Sequence, residues 1–192
     1  VELGRGSLLA AALLLQLKTL LDNADGQLAR LTGRTSAFGR YLDSEVDLLV
    51  DAALFAALGW TTGQSALALA GFLALTSVLS LNFNAERLSR AAAPEPEPEG
   101  GRTAVLRHLY RLLYAPQDRL AEALAGRRPA LTGSTAVSLL ANLGMSTQLA
   151  AFALLIALGH PLAFAWLALA ELAVIALALL PRRAPWRQEE VA

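Results

Sequence analysis

The chain contains no cysteine, which excludes disulfides, thiolate metal sites and cysteine nucleophiles. It carries little charge: 17% of its 192 residues are Asp, Glu, Lys or Arg, against about 25% in an average soluble domain. Acids and bases cancel at 16 each, so the net charge gives no reason to expect a nucleic-acid partner. Of its two histidines, His108 and His160, neither sits at a metal-ligand spacing. No charged segment with a cleavage site precedes the first apolar run, so no signal peptide is expected. The opening residue, Val1 rather than Met, reads as a processed start or a fragment.

What the chain has instead is Leu and Ala. Hydrophobic residues make up 55% of it and the mean hydropathy is +0.47. The charges cluster, and long uncharged runs separate the clusters, which is a membrane pattern. The runs cover about 7–21, 38–58, 65–81, 136–158 and 162–180. Each approaches the roughly 20 residues that cross a bilayer. Backbone groups in lipid must be paired within their own segment, so these runs are expected to be helices. The expected fold is an all-α integral membrane protein, a polytopic bundle of five spans forming one domain over 1–192.

The connections carry their own signals. "RAAAPEPEPEGGR", 90–102, alternates Pro with Glu and reads as an extended linker. Residues 103–126 place apolar positions at helical spacing with Arg107, Arg111 and Arg119 between them, the pattern of one or two amphipathic helices on a membrane surface. Residues 181–192 form a polar tail. Arg30, Arg34 and Arg40 follow the first run, eight arginines lie between the third and fourth, and Arg182, Arg183 and Arg187 follow the fifth. "GWTTGQ" and "GHP" carry no Lys or Arg. Positive-inside bias therefore places both basic loops and the tail in the cytoplasm, with Trp60 as an anchor at the far interface.

The stretch "LDNADGQLARLTGRTSAFGRYLDSEVD", 21–47, sits at that cytoplasmic boundary. Asp22 and Asp25 are three apart, Asp43 and Asp47 four apart, so each pair shares a helix face. A short link makes the two helices antiparallel neighbours, and four carboxylates then converge. Their repulsion is relieved by a bound cation. Oxygen ligands favour Mg²⁺, Mn²⁺ or Ca²⁺ over zinc, and four carboxylates can hold two ions roughly 3.5–4 Å apart, a spacing that clamps phosphoryl groups. Gly26 and Gly39 each cost on the order of 1 kcal/mol within a helix and leave notches where a ligand can touch backbone. Ala29 keeps the next turn small, and Arg30 can fork onto a phosphate.

These residues match D-x2-D-G-x2-A-R-x8-G-x3-D-x3-D, with Asp22, Asp25, Gly26, Ala29, Arg30, Gly39, Asp43 and Asp47 at all eight fixed positions. A chance match is roughly one in a billion or less per window at average residue usage. The stretch resembles the signature of the CDP-alcohol phosphatidyltransferase family. That resemblance implies a six-helix, commonly homodimeric membrane enzyme with the motif on its second and third helices; five runs against six then fit either a chain truncated before its first helix or a natively shorter variant. It implies transfer of a phosphatidyl or phosphoalcohol group from a CDP-linked donor to an acceptor hydroxyl, with release of CMP. It assigns Asp22, Asp25, Asp43 and Asp47 to metal, two Mg²⁺ or Mn²⁺ ions, and Asp47 also to the acceptor proton. Gly26, Ala29, Arg30 and Gly39 line the CDP site. "ARLTGRTSAFGRYLDSEVD" resembles the branch that uses CDP-diacylglycerol. The implied location is the cell membrane of a bacterium or archaeon, with membrane lipids around the bundle and the active site facing the cytoplasm.

Weaker features complete the reading. Lys18 lies one turn before Asp22, where it can pair with that residue or meet a phosphate; it also lies at a depth similar to that of Glu171, which makes those two a candidate pair. Asp51 extends the Asp43–Asp47 stripe as an outer ligand or a partner for a neighbouring helix. Asn82, Asn84 and Glu86 can touch an acceptor or simply end a helix. Arg107, Arg111, Arg127 and Arg128 suit anionic substrates or anionic lipid heads. Two rival functions use the same residues: a divalent-cation transporter, and an inactive, truncated homologue with a structural role.

Overall fold

The computed structural model describes residues 4–89, 101–126, 138–140 and 142–178. Among these, the main elements are six helices: α1 (Arg5–Leu31), α2 (Ala37–Thr62), α3 (Ser65–Ser89), α4 (Gly101–Gly126), α5 (Met145–Ala157) and α6 (Ala163–Ala178). The Leu- and Ala-rich runs supply strong helix formers, and the stops are local. Gly33 adopts φ +65° just past α1, and Gly63 φ +71° at the end of α2, a left-handed backbone that glycine takes without a Cβ clash. Ser36 starts α2 by accepting the Gly39 N–H at 3.0 Å, which satisfies one of the helix's unpaired donors.

α1, α3 and the segment Ser138–Ala157 are long and apolar enough to cross a membrane, and α6 is a shorter apolar helix. α2 has a comparable length, 26 residues, but its first fifteen residues carry Asp43, Glu45, Asp47 and Asp51. α1 turns Leu13, Leu14 and Leu20 outward, as expected of a helix surrounded by lipid rather than water. The protein is a helical membrane protein. Trp60 is 82% exposed near the end of α2, in keeping with an interfacial anchor.

α3 is the organising helix: it packs on α2, α4 and α6, while α1 packs along α5 and α5 touches α6. The core joins four helices through rings. Phe152 of α5 and Phe164 of α6 stack with centroids 4.3 Å apart, and Phe55 of α2 lies 5.7 Å from Phe164 and 6.0 Å from Phe72 of α3. Gly71 permits this closeness, because a Cβ there would lie 2.8 Å from Ala165 and from the Phe55 ring. Small residues allowing backbones to meet are the usual means of packing helices in membranes.

The 103–126 segment forms one continuous helix, beginning at Gly101 and running through Pro116. Proline there removes an N–H and one intrahelical bond. The helix packs on α2 and α3, and an Arg87–Glu122 ion pair at 2.9 Å ties it to α3. The Pro-Glu stretch up to residue 100, the basic pair Arg127 and Arg128, and the tail after 178 lie outside the described residues.

Candidate active site

The site is built where α1 ends and α2 begins. Among the described residues α1 and α2 are not a closely packed pair; a side chain spans the gap. Lys18, one turn before Asp22 on the same face of α1, forms an ion pair with Asp22 and donates to Asp47 Oδ1 of α2 at 2.7 Å. Asp43 lies within electrostatic reach of Asp47, Asp22 and Asp25. At the same end, Asn23 Nδ2 donates to Ser146 Oγ at 3.0 Å and anchors α1 to α5.

The four motif aspartates therefore gather at one end of one helix pair, but the gathering is looser than the spacing suggested. Among the described residues no three acidic or histidine side chains lie close enough to hold one ion. Asp22 and Asp47 meet through the Lys18 ammonium, and Asp25 stays exposed. The expected Lys18–Glu171 pair does not form. Lys18 has two closer carboxylates, Asp22 on its own helix and Asp47 across the gap on α2, and Glu171 accepts from Gln148 Nε2 of α5 at 2.6 Å.

The motif's small residues also have positions of their own. The Arg30 guanidinium lies back over Gly26, where an added Cβ would meet Nη1 at 3.5 Å. At Gly39 a Cβ would meet the capping Ser36 Oγ at 3.2 Å, so this glycine keeps room for the cap as well as a bare backbone. Ala29 lies between them on α1, half-buried.

Beside the aspartates opens a cavity of about 330 Å³ between α2, α3 and α4. Asp43, Asp47 and Asp51 line it from α2, Thr76 and Ser80 from α3, Tyr114 and Asp118 from α4. Ser80 Oγ donates to Asp118 Oδ1 at 2.6 Å, and Asn84 Nδ2 to the same oxygen at 3.1 Å. Gln117 Nε2 donates to Thr76 Oγ1 at 3.3 Å. The Tyr114 hydroxyl donates to the Ser44 carbonyl at 3.2 Å and fixes α4 on α2. Burial, and then the charges of Glu45, Asp51, Asp47 and Asp118, push that phenol above its ordinary ionisation range, so it remains a protonated donor.

Asp118 and Tyr114 were not singled out from the sequence. The signal was present: Tyr114, Gln117 and Asp118 are three and four apart, and so share one helix face, but arginine spacing dominated the reading of that segment. Asn84, 1% exposed, serves as a strut to Asp118. Arg111 is exposed on α4, and His160 is exposed in the α5–α6 link.

Fold and site together define a polytopic helical membrane protein with an acid-lined cavity at one end of its bundle. The chain belongs to the CDP-alcohol phosphatidyltransferase family, whose model matches residues 2–180. It is similar to a bifunctional IPC transferase and DIPP synthase of Thermococcus kodakarensis, 37% identical over 86 residues, which are 44% of this chain and 20% of that protein. It is also similar to archaetidylinositol phosphate synthases: that of Methanothermobacter thermautotrophicus, 40% identical over 41% of this chain and 39% of the relative, and that of Aeropyrum pernix, 47% identical over 26% and 25%. The matched stretches thus span between about one fifth and two fifths of these relatives' own lengths. No solved structure matches the chain significantly.

Proposed function

We propose that this protein transfers a phosphatidyl or phosphoalcohol group from a CDP-linked lipid donor, of the CDP-diacylglycerol type, to an acceptor hydroxyl in phospholipid biosynthesis. The observation that carries the reading is the complete eight-residue signature, placed at one end of α1 and α2 around a cation that already bridges them. The relatives named for archaetidylinositol phosphate synthesis put an inositol-type alcohol first among candidate acceptors. Basic connections at the motif end favour a cytoplasmic site. The exposed leucines of α1 suit lipid or a second copy in a homodimer.

As they stand, no three of the motif carboxylates lie close enough to hold one ion; what supports a divalent metal is their oxygen-donor chemistry and the Lys18 ammonium that Asp22 and Asp47, one from each helix, already take between them. Asp22, Asp25, Asp43 and Asp47 would hold Mg²⁺ or Mn²⁺, two ions in the full reading. Such ions, when bound, neutralise a pyrophosphate and improve CMP as a leaving group. Arg30, with Gly26, Ala29 and Gly39 beside it, binds the CDP phosphates through its planar fork. Asp47 takes the proton of the acceptor hydroxyl. That oxygen forms its bond to the β-phosphorus as the bond from phosphorus to the CMP oxygen breaks. Positioning and charge do most of the work in such transfers.

The test is CMP release from purified protein given CDP-diacylglycerol, Mg²⁺ and a panel of alcohols. Release that requires both the alcohol and the metal supports the reading. Divalent-cation flux into vesicles without CMP release would replace it with the transporter.

A further inference from the structure

Of the 16 Lys and Arg residues in the chain, only Lys18 is a lysine. It pairs with two motif carboxylates, Asp22 on its own helix and Asp47, 2.7 Å away, on α2. Both carboxylates are metal ligands in the transferase reading, and the place between them serves one cation at a time.

The side chain suits that place. An arginine fork would grip one carboxylate through two fixed bonds, whereas lysine is a compact charge on a flexible stem. It can stand between two carboxylates and withdraw. Lys18, Asp22 and Asp47 all keep some solvent contact, so an ion from water can reach them. Charge decides the exchange. A divalent ion carries twice the charge of the ammonium, and Mg²⁺ approaches a carboxylate oxygen to about 2.0–2.1 Å, against about 2.7–2.9 Å for an ammonium nitrogen. The reluctance of Mg²⁺ to shed water limits that advantage. The ammonium therefore weakens metal binding without preventing it.

Neither helix depends on this link. α1 is held by α5, through packing and through the Asn23–Ser146 hydrogen bond. α2 is held by α3 and by α4, whose Tyr114 hydroxyl reaches the Ser44 carbonyl. With both helices anchored elsewhere, the ammonium can withdraw without releasing either.

Resting on the metal-dependent transferase reading, we propose that Lys18 is a positioning residue of the metal centre, a tethered cation that keeps the Asp22 and Asp47 carboxylates together until a divalent ion takes its place. Pairing with Lys18 and binding of that ion then exclude each other, and each weakens the other by the same factor.

The single lysine makes the test direct. Full-length protein grown on isotope-labelled lysine gives one side-chain NMR signal in micelles, that of Lys18, and no substrate or turnover enters the measurement. Mg²⁺ should shift that signal and narrow it to the width of an unrestrained lysine, over the concentration range in which Mg²⁺ competes off Mn²⁺ followed by electron paramagnetic resonance. Lys18→Met should bind Mn²⁺ at least about tenfold more tightly than the wild type, within the usual range of coupling between linked events. Lys18→Arg keeps the charge and should show no such gain. The wild-type signal decides the matter even if Lys18→Met fails to fold. A signal that stays broad at saturating Mg²⁺, a Mn²⁺ affinity equal or lower in Lys18→Met, or an equal gain in Lys18→Arg overturns the proposal. If neither the wild type nor Lys18→Met binds Mn²⁺, the metal-dependent reading falls and this inference with it. Tight Mn²⁺ binding beside an immobile Lys18 overturns this inference alone.

Discussion

Helix α2 carries two regions about two turns apart that are held by different forces. At Phe55 it meets the stacked rings of Phe152 and Phe164 and the bare backbone of Gly71. Nothing there needs a hydrogen bond, so the helices close until atoms touch. At Asp47 the same helix stays away from α1, a lysine bridges the gap, and a cavity opens on the other side toward α3 and α4. Charged groups need room for counter-charges, and the backbones stand apart to give it. The apolar region determines where the helices are; the acidic region uses the space that this arrangement leaves.

That contrast can be broken from either side. The largest effect is expected at the proposed base. Asp47→Asn should lower CMP release by about 10²–10⁴-fold, the usual contribution of a positioned acid or base, with little change in thermal midpoint. A loss of fold instead would make Asp47 part of the scaffold. Next, Phe152→Ala should cost about 3 kcal/mol, the low end of the range for soluble cores because lipid rather than water surrounds the bundle. Unfolding in mixed micelles measures it, and the acceptor KM of the folded fraction should not move.

Gly71→Ala should cost about 1–3 kcal/mol by overpacking, because backbone atoms of Ala165 stand in the way; a neutral result would mean that α3 and α6 are less tightly seated than described. Lys18→Met removes the bridging cation. In metal-free buffer it should destabilise by about 1–2 kcal/mol, less than a fully buried pair would because both side chains keep some solvent contact. Mg²⁺ should restore more of that stability than it adds to the wild type, and Mn²⁺ titrated by electron paramagnetic resonance should bind more tightly. The smallest effect belongs to Tyr114→Phe, which loses one hydrogen bond to the Ser44 carbonyl, about 0.5–1.5 kcal/mol. Because the phenol's ionisation is raised, it stays protonated as pH climbs toward its usual range near 10. The alkaline sides of the wild-type and Tyr114→Phe profiles should therefore coincide.

Much of this was readable before any coordinates. Uncharged Leu-Ala runs can only be helices if they lie in lipid, and the described elements fall on those runs. The signature of eight residues was complete, and family membership follows over 2–180. The misses share one cause. Lys18 was offered Glu171 on depth alone, yet depth does not say which helix lies beside which; α1 packs on α5, and Gln148 reaches Glu171 first. Segment 103–126 showed its arginines, while Tyr114 and Asp118 matter only because α4 docks on α2 and α3.

By itself, then, the order of residues determined the helices, the glycine stops after α1 and α2, the acidic pairs at three- and four-residue spacing and the family. These depend on contacts within a few turns of one chain segment, which spacing encodes. Only the tertiary structure decided that a lysine joins Asp22 to Asp47, that Asp51 lines a cavity while nearly buried, and that α4 supplies the far wall. Those facts depend on which surfaces pack, and packing is set by the shapes of many side chains at once, at Gly71 and Phe164 as much as at the site.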